Sequence, residues 1–113
     1  MHEFAITEAI LSIVLKKAQE IQAGRITKID LYVGRLTGYL PESIKLQFAF
    51  LSKDTAAAGA SLNFLQPLAK LHCRKCDRDF TVDSFDLTCP QCHTLEVEVV
   101  SGLELNVESM EIE

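Results

Sequence analysis

From Phe4 to Gln22 the apolar residues recur every three or four positions. Ile6, Ile10, Ile13, Val14, Ala18 and Ile21 share one stripe, and Glu8, Lys16, Lys17 and Glu20 mostly stand off it. This pattern predicts an amphipathic helix, with Gly24 as its C-terminal stop. The period then changes. In ITKIDLYVG, Ile29, Leu31 and Val33 alternate with Lys28, Asp30 and Tyr32, the mark of a half-buried strand. RLTGYLPES turns the chain, and Pro41 with Glu42 suits the first turn of a second helix running to about Ser52, with Ile44, Phe48 and Leu51 on its apolar face. SLNFLQPLAKL is a strand candidate ending near Pro67. Leu103, Leu105 and Val107 alternate, then Met110 and Ile112 fall out of phase, which predicts a last strand with a bulge near Ser109. Such a strand needs a sheet, and the one begun at Ile26 is the nearest to hand. The stretch between them then becomes an excursion between two strands of one domain.

Composition changes this picture little. The chain has 113 residues, 48% apolar and 24% charged, enough for one core plus a small satellite. No apolar run approaches the ~20 residues that span a bilayer. Glu3 and Glu8 stand where a signal peptide would be basic, so the expected location is cytoplasmic, with no membrane partner. The net charge of −5 is unevenly placed: +2 over residues 1–70, −3 over 71–100 and −4 over 101–113. A nucleic-acid binder concentrates positive charge where it meets phosphate, so the acidic second half argues against nucleic acid as a partner. Neither a phosphate-cradling glycine loop nor a nucleophile motif is present, so an enzyme is not expected.

Chemistry concentrates in HCRKC and CPQCH. Cys73, Cys76, Cys89 and Cys92 form C-x2-C-x12-C-x2-C with no cysteine left over. Each pair brings two thiolates to one ion, and two pairs complete the tetrahedral sulfur shell that zinc accepts. The linker RDFTVDSFDLT is about long enough for a small hairpin. Four thiolates close the shell, so the expected Zn(II) is structural, and in so small a core it supplies most of the folding energy, on the order of 10–16 kcal/mol in isolated peptides. His72 and His93 flank the outermost cysteines as neighbours of a saturated site, and as reserve ligands if a cysteine dissociates.

The third histidine, His2, sits behind the initiator methionine in MHE. The Met1 α-amine, the deprotonated backbone nitrogen of His2 and its ring Nδ1 can close adjacent five- and six-membered chelate rings, leaving a fourth in-plane position. Glu3 can offer its backbone nitrogen or carboxylate to what is left. A planar nitrogen set suits Ni(II) or Cu(II), not Mg²⁺ or Ca²⁺. Taken alone, a histidine at position 2 is more often accidental than chemical.

Four blocks in order raise its significance: MHEFAIT, VGRLTGYLPES, AGASLNF, and the paired cysteines ending in CPQC followed by GLELNVESMEIE. Through them the chain resembles, over essentially its whole length, the HypA/HybF family of nickel metallochaperones for [NiFe]-hydrogenase maturation. Phe4 stands where the family usually has leucine, Tyr39 where a small aliphatic is common, Ala58 where an acidic residue often precedes the glycine, and His93 where glycine commonly follows the last cysteine. The resemblance implies an α+β nickel domain of two helices on a small mixed β-sheet, with an inserted four-cysteine zinc ribbon. On this chain the domain takes residues 1–70 and 101–113, and the ribbon 71–100. It also implies transient Ni(II) at Met1, His2 and Glu3, and partnership with a HypB-like hydrogenase-maturation GTPase. The implied receiver is the hydrogenase large-subunit precursor, or urease in some organisms. The competing reading is a zinc-ribbon protein-protein adaptor with an idle N-terminus. Stoichiometry separates the two, since the adaptor binds one metal and the metallochaperone two different ones.

Overall fold

The computed structural model describes residues 3–113. Its first helix, α1 (Glu3–Glu20), buries a stripe made of Glu3, Thr7, Ile10, Val14 and Ala18. The expected stripe is therefore rotated: Ile13 and Ile21 are 54% and 47% exposed, and Glu3 and Thr7 take up burial that apolar spacing had assigned elsewhere. The Thr7 hydroxyl is satisfied by donating to the Glu3 carbonyl at 2.5 Å. The helix ends before Gly24. Gln22 adopts φ 56, the Ala23 N–H donates to the Ala18 carbonyl at 2.8 Å, and the Gln22 N–H donates to that of Gln19 at 3.1 Å. This is a Schellman cap with glutamine in the left-handed position.

β1 (Ile26–Val33) follows and keeps the expected alternation, with Ile29, Leu31 and Val33 fully buried. A 3-10 turn (Arg35–Thr37) leads to α2 (Pro41–Leu51), which buries Ile44 and Phe48 against α1 and starts on the expected proline. The chain then enters β2 (Ser61–Leu65), which lies parallel to β1 in a register running from Lys28↔Ser61 to Tyr32↔Leu65. Parallel neighbours need a crossover, and α2 supplies it. The last strand, β6 (Leu105–Ile112), joins the other side of β1, giving the order β2-β1-β6, so the C-terminal segment does return to the sheet begun at Ile26. On the polar face of this sheet, Asp30 accepts from the Asn63 amide at 3.0 Å and the Ser109 hydroxyl at 2.6 Å, bridging all three strands. Ser109 and Glu111 reach polar partners on β1, and Val107, Ser109, Met110 and Ile112 line a groove with Ile13 and Ile21 of α1.

A second sheet has the order β4-β3-β5 and is antiparallel throughout: β3 (Ala69–Cys73) is central, flanked by β4 (Arg78–Val82) and β5 (Val97–Ser101). The linker between the cysteine pairs thus supplies one strand, not a hairpin of its own. Its partner is the strand before the first pair, because β3 carries the apolar alternation, with Ala69, Leu71 and Cys73 fully buried.

The chain divides into two compact units. One takes the chain up to Tyr32 with Tyr39–Leu65 and Asn106–Glu113; the other takes Val33–Gly38 and Gln66–Leu105. Backbone bonds explain why the segment after β1 belongs to the second: the Gly34 N–H donates to the Glu104 carbonyl at 2.7 Å, and that of Leu36 to Gly102 at 2.8 Å. A Cβ on Gly34 would stand 2.3 Å from the Gly102 carbonyl oxygen, so only glycine permits this approach. Among the described residues no helix is long and apolar enough to cross a membrane.

Candidate metal centre

The two cysteine pairs are built alike. In the first, the Asp77 N–H donates to the Cys73 carbonyl at 2.9 Å with Asp77 at φ 58; in the second, the His93 N–H donates to the Cys89 carbonyl at 2.9 Å with His93 at φ 59. Each turn reverses through a left-handed residue directly after its second cysteine. Glycine accepts that conformation freely; aspartate and histidine are among the side-chain-bearing residues found there most often, at a cost glycine avoids.

Geometry brings all four sulfurs together. Cys73 Sγ lies 3.5 Å from Cys92 Sγ and Cys76 Sγ 3.7 Å from Cys89 Sγ, and the four ligand atoms all lie within 4.8 Å of one another. A tetrahedron with metal–sulfur bonds of ~2.3 Å has edges of about 3.8 Å, so this spacing suits one zinc-sized ion and is far too long for disulfides. It is the one such cluster of metal-binding side chains among the described residues. Cys73 and Cys89 are buried, and the other two are half-buried.

Electrostatics fit a cation. The Cys76 N–H points at Cys73 Sγ from 3.4 Å and lowers its pKa, and the Cys92 N–H does the same for Cys89, down to about 6. Burial and the neighbouring sulfurs push Cys76 up to about 12, and burial likewise raises Cys92. Four crowded sulfurs cannot all be thiolates unless a positive ion sits among them. Each turn stabilises one thiolate with its own backbone; a bound cation would stabilise the other two.

His72 stands beside this site but is engaged elsewhere. Its Nδ1 lies 2.6 Å from Asp79 Oδ1 and its Nε2 3.0 Å from Asp77 Oδ1, so both ring nitrogens already have partners. The hydrogen bond to Asp79 raises its pKa, ahead of the opposing effect of burial. His93 is exposed, and its distinguishing feature is the backbone conformation. Neither histidine joins the sulfur cluster. The two aspartates around His72 escaped the sequence reading, although Asp77 and Asp79, five and seven residues beyond it, were the available signal.

Of the expected nickel residues, Met1 and His2 lie outside the described residues. Glu3 opens α1 and is only 3% exposed. Its Oε2 accepts from the Leu40 N–H at 3.0 Å. Leu40 precedes α2 and has no side-chain oxygen, so Glu3 acts as the cap of a helix far away in sequence. The Leu40 N–H, first among several causes, holds the Glu3 pKa below the ordinary carboxylate value. Its carboxylate is thus occupied on α2, a commitment that MHE by itself could not reveal.

The family described as "Hydrogenase/urease nickel incorporation, metallochaperone, hypA" matches residues 1–112. The hydrogenase maturation factor HypA of Chlorobaculum tepidum is 41% identical over 113 residues, covering all of both chains. That of Dehalococcoides mccartyi strain 195 is 39% identical, covering all of this chain and 95% of its own. In fold, the chain is similar to the solution structure of the Ni metallochaperone HypA from Helicobacter pylori, with a TM-score of 0.68, 20% identity, and 99% of this chain and 97% of that one covered. A second solution structure, of a HypA protein, gives a TM-score of 0.73 at 21% identity, covering 100% and 97%. The full-length family match, the identity to these maturation factors and the shared fold lead to one conclusion: the chain belongs to the HypA family of hydrogenase/urease nickel-incorporation metallochaperones, a family of maturation factors and not of enzymes.

Proposed function

We propose that the chain binds one Ni(II) at its N-terminus and hands it on during maturation of [NiFe]-hydrogenase, while one structural Zn(II) on Cys73, Cys76, Cys89 and Cys92 holds the ribbon together. The observation that carries this reading is the family match over residues 1–112, which includes MHE. Nickel is held by the Met1 amine, the His2 backbone nitrogen and His2 Nδ1. The His2 nitrogen then has an in-plane neighbour on each side, so a further chelate ring from Glu3 cannot lie in that plane. Glu3 serves instead as the anchor, its carboxylate tied to the start of α2. One in-plane position is left to an incoming ligand, which favours transfer over storage. The family names suggest a hydrogenase precursor or urease as receiver, and a HypB-like GTPase fits as the accompanying partner.

The test is equilibrium titration of nickel with elemental analysis of zinc on the protein with its native start. We expect two different metals per chain. His2→Ala, or a residue added before Met1, should abolish nickel binding with zinc unchanged. Nickel binding as tight in the extended protein as in the native one would remove the amine from the ligand set, and a single metal per chain would favour the adaptor.

A further inference from the structure

The apolar stripe of α1 is wider than the part of it that the chain covers. Glu3, Thr7, Ile10, Val14 and Ala18 are buried, while Ile13, Lys17 and Ile21, each one turn from the next, form an exposed flank. This flank makes one wall of a groove of about 380 Å³, and Val107, Met110 and Ile112 of β6 make the other. All of these residues belong to one compact unit. Among the described residues none of β1 or β2 lines the groove, so it lies along the outer side of the sheet.

That side of the sheet is open. The order β2-β1-β6 leaves β6 paired with a strand on one side only, and its eight residues present ~26 Å of edge. Asn106, Glu108, Ser109, Glu111 and Ile112 are all exposed. A row of free backbone N–H and C=O groups takes an extended backbone, and an apolar groove beside it takes the apolar side chains of that strand's inner face. Charge then selects among extended partners. Residues 103–113 carry Glu104, Glu108, Glu111 and Glu113 and no lysine or arginine. Lys28 of β1 offsets one of these, lying 3.5 Å from Glu111. A second copy laid edge to edge would set the glutamates of one β6 beside those of the other, and like charges on facing strands are destabilising. Lysine or arginine in the incoming strand meets the opposite sign instead.

We propose that the free edge of β6 is a docking site for an extended segment of another protein, one in which aliphatic residues alternate with lysine or arginine. The segment becomes the fourth strand of the sheet. Its aliphatic side chains cover Ile13 and Ile21, and its basic side chains face Glu108 and Glu111. The exposed flank of α1 is then the half of an interface that the chain carries by itself. This reading uses neither metal, so it stands or falls apart from the nickel reading.

The probe is a short synthetic peptide alternating valine with lysine, with the valine–glutamate peptide as its counterpart. Both are titrated against the full chain, zinc present, and binding is followed by NMR shifts and amide hydrogen exchange. The valine–lysine peptide should bind saturably, more weakly as salt rises, and should slow exchange at β6 amides that exchange freely without it. The valine–glutamate peptide should bind at least about tenfold more weakly. Glu108→Lys/Glu111→Lys should reverse that preference. Ile13→Ser, on an exposed position where the fold is not at stake, should weaken the valine–lysine peptide roughly tenfold with helical content unchanged. Equal binding of the two peptides would overturn the charge selection, and binding without new protection on β6 would overturn strand addition. No binding of either peptide, or native affinity in Ile13→Ser, would overturn the site. Self-association of the native chain with protection of the same β6 amides would give the edge to a second copy and overturn the basic partner.

Discussion

Two residues show how far a side chain's task can depart from its type. Glu3 reads as a metal-side carboxylate and is buried as the cap of a distant helix; His93 reads as a reserve ligand and is held at φ 59 by the turn it closes. A non-glycine residue in the left-handed region costs ~1–2 kcal/mol, and glycine gives back about 0.5–1 kcal/mol of this through its freer unfolded chain. His93→Gly should therefore stabilise the ribbon by up to ~1 kcal/mol. Metal release to a competing chelator should slow, with a higher thermal midpoint for this unit. If release quickens, the His93 side chain does something at the site that the turn geometry does not account for.

At the scale of elements, the three strands β2-β1-β6 are joined on their polar face by one carboxylate. The Ser109 hydroxyl, then the Asn63 amide, lower the Asp30 pKa against the opposing effect of burial. The sign follows from linkage: a carboxyl with a depressed folded-state pKa contributes stability that is complete above its unfolded value, ~3.9, and is lost as pH falls through the folded value. The native protein should lose stability in acid below about pH 4, and Asp30→Asn should flatten that part of the profile while being less stable at neutral pH. Denaturant midpoints from pH 7 down to 2.5, measured on the apo proteins so that metal release does not intrude, check this. Parallel profiles for the two proteins would mean the bridge adds nothing.

For the whole molecule, the two units bury separate cores: Ile10, Val14, Ile29, Leu31, Ile44 and Phe48 in one, and Ala69, Leu71, Cys73 and Cys89 in the other. The second core is small, so a metal on the four sulfurs, once bound, would carry much of its folding. Cys73→Ala or Cys92→Ala should release the metal and unfold residues of the ribbon, as seen by loss of amide dispersion there, while the helical signal of α1 and α2 persists. Retention of a tight zinc after two such replacements would contradict the four-cysteine site. Much of this was legible in the chain itself. Both helices, the alternation of β1, the return of the last strand and the two C-x2-C pairs depend on spacing over a few residues, and local periodicity records that directly. What sequence alone could not supply depends on partners far along the chain. Ile13 and Ile21 share the periodicity of Ile10 and Val14, and tertiary packing, with α2 against α1, selects which flank is covered. Gly24 looked like the helix stop, but the left-handed turn falls on Gln22, where the carbonyls of Ala18 and Gln19 are waiting for donors. The linker between the cysteine pairs had strand character, yet the alternation of β3 decided its pairing. Glu3 met the Leu40 N–H because α1 and α2 pack together, and a buried carboxylate must take its donors from whatever the fold places beside it.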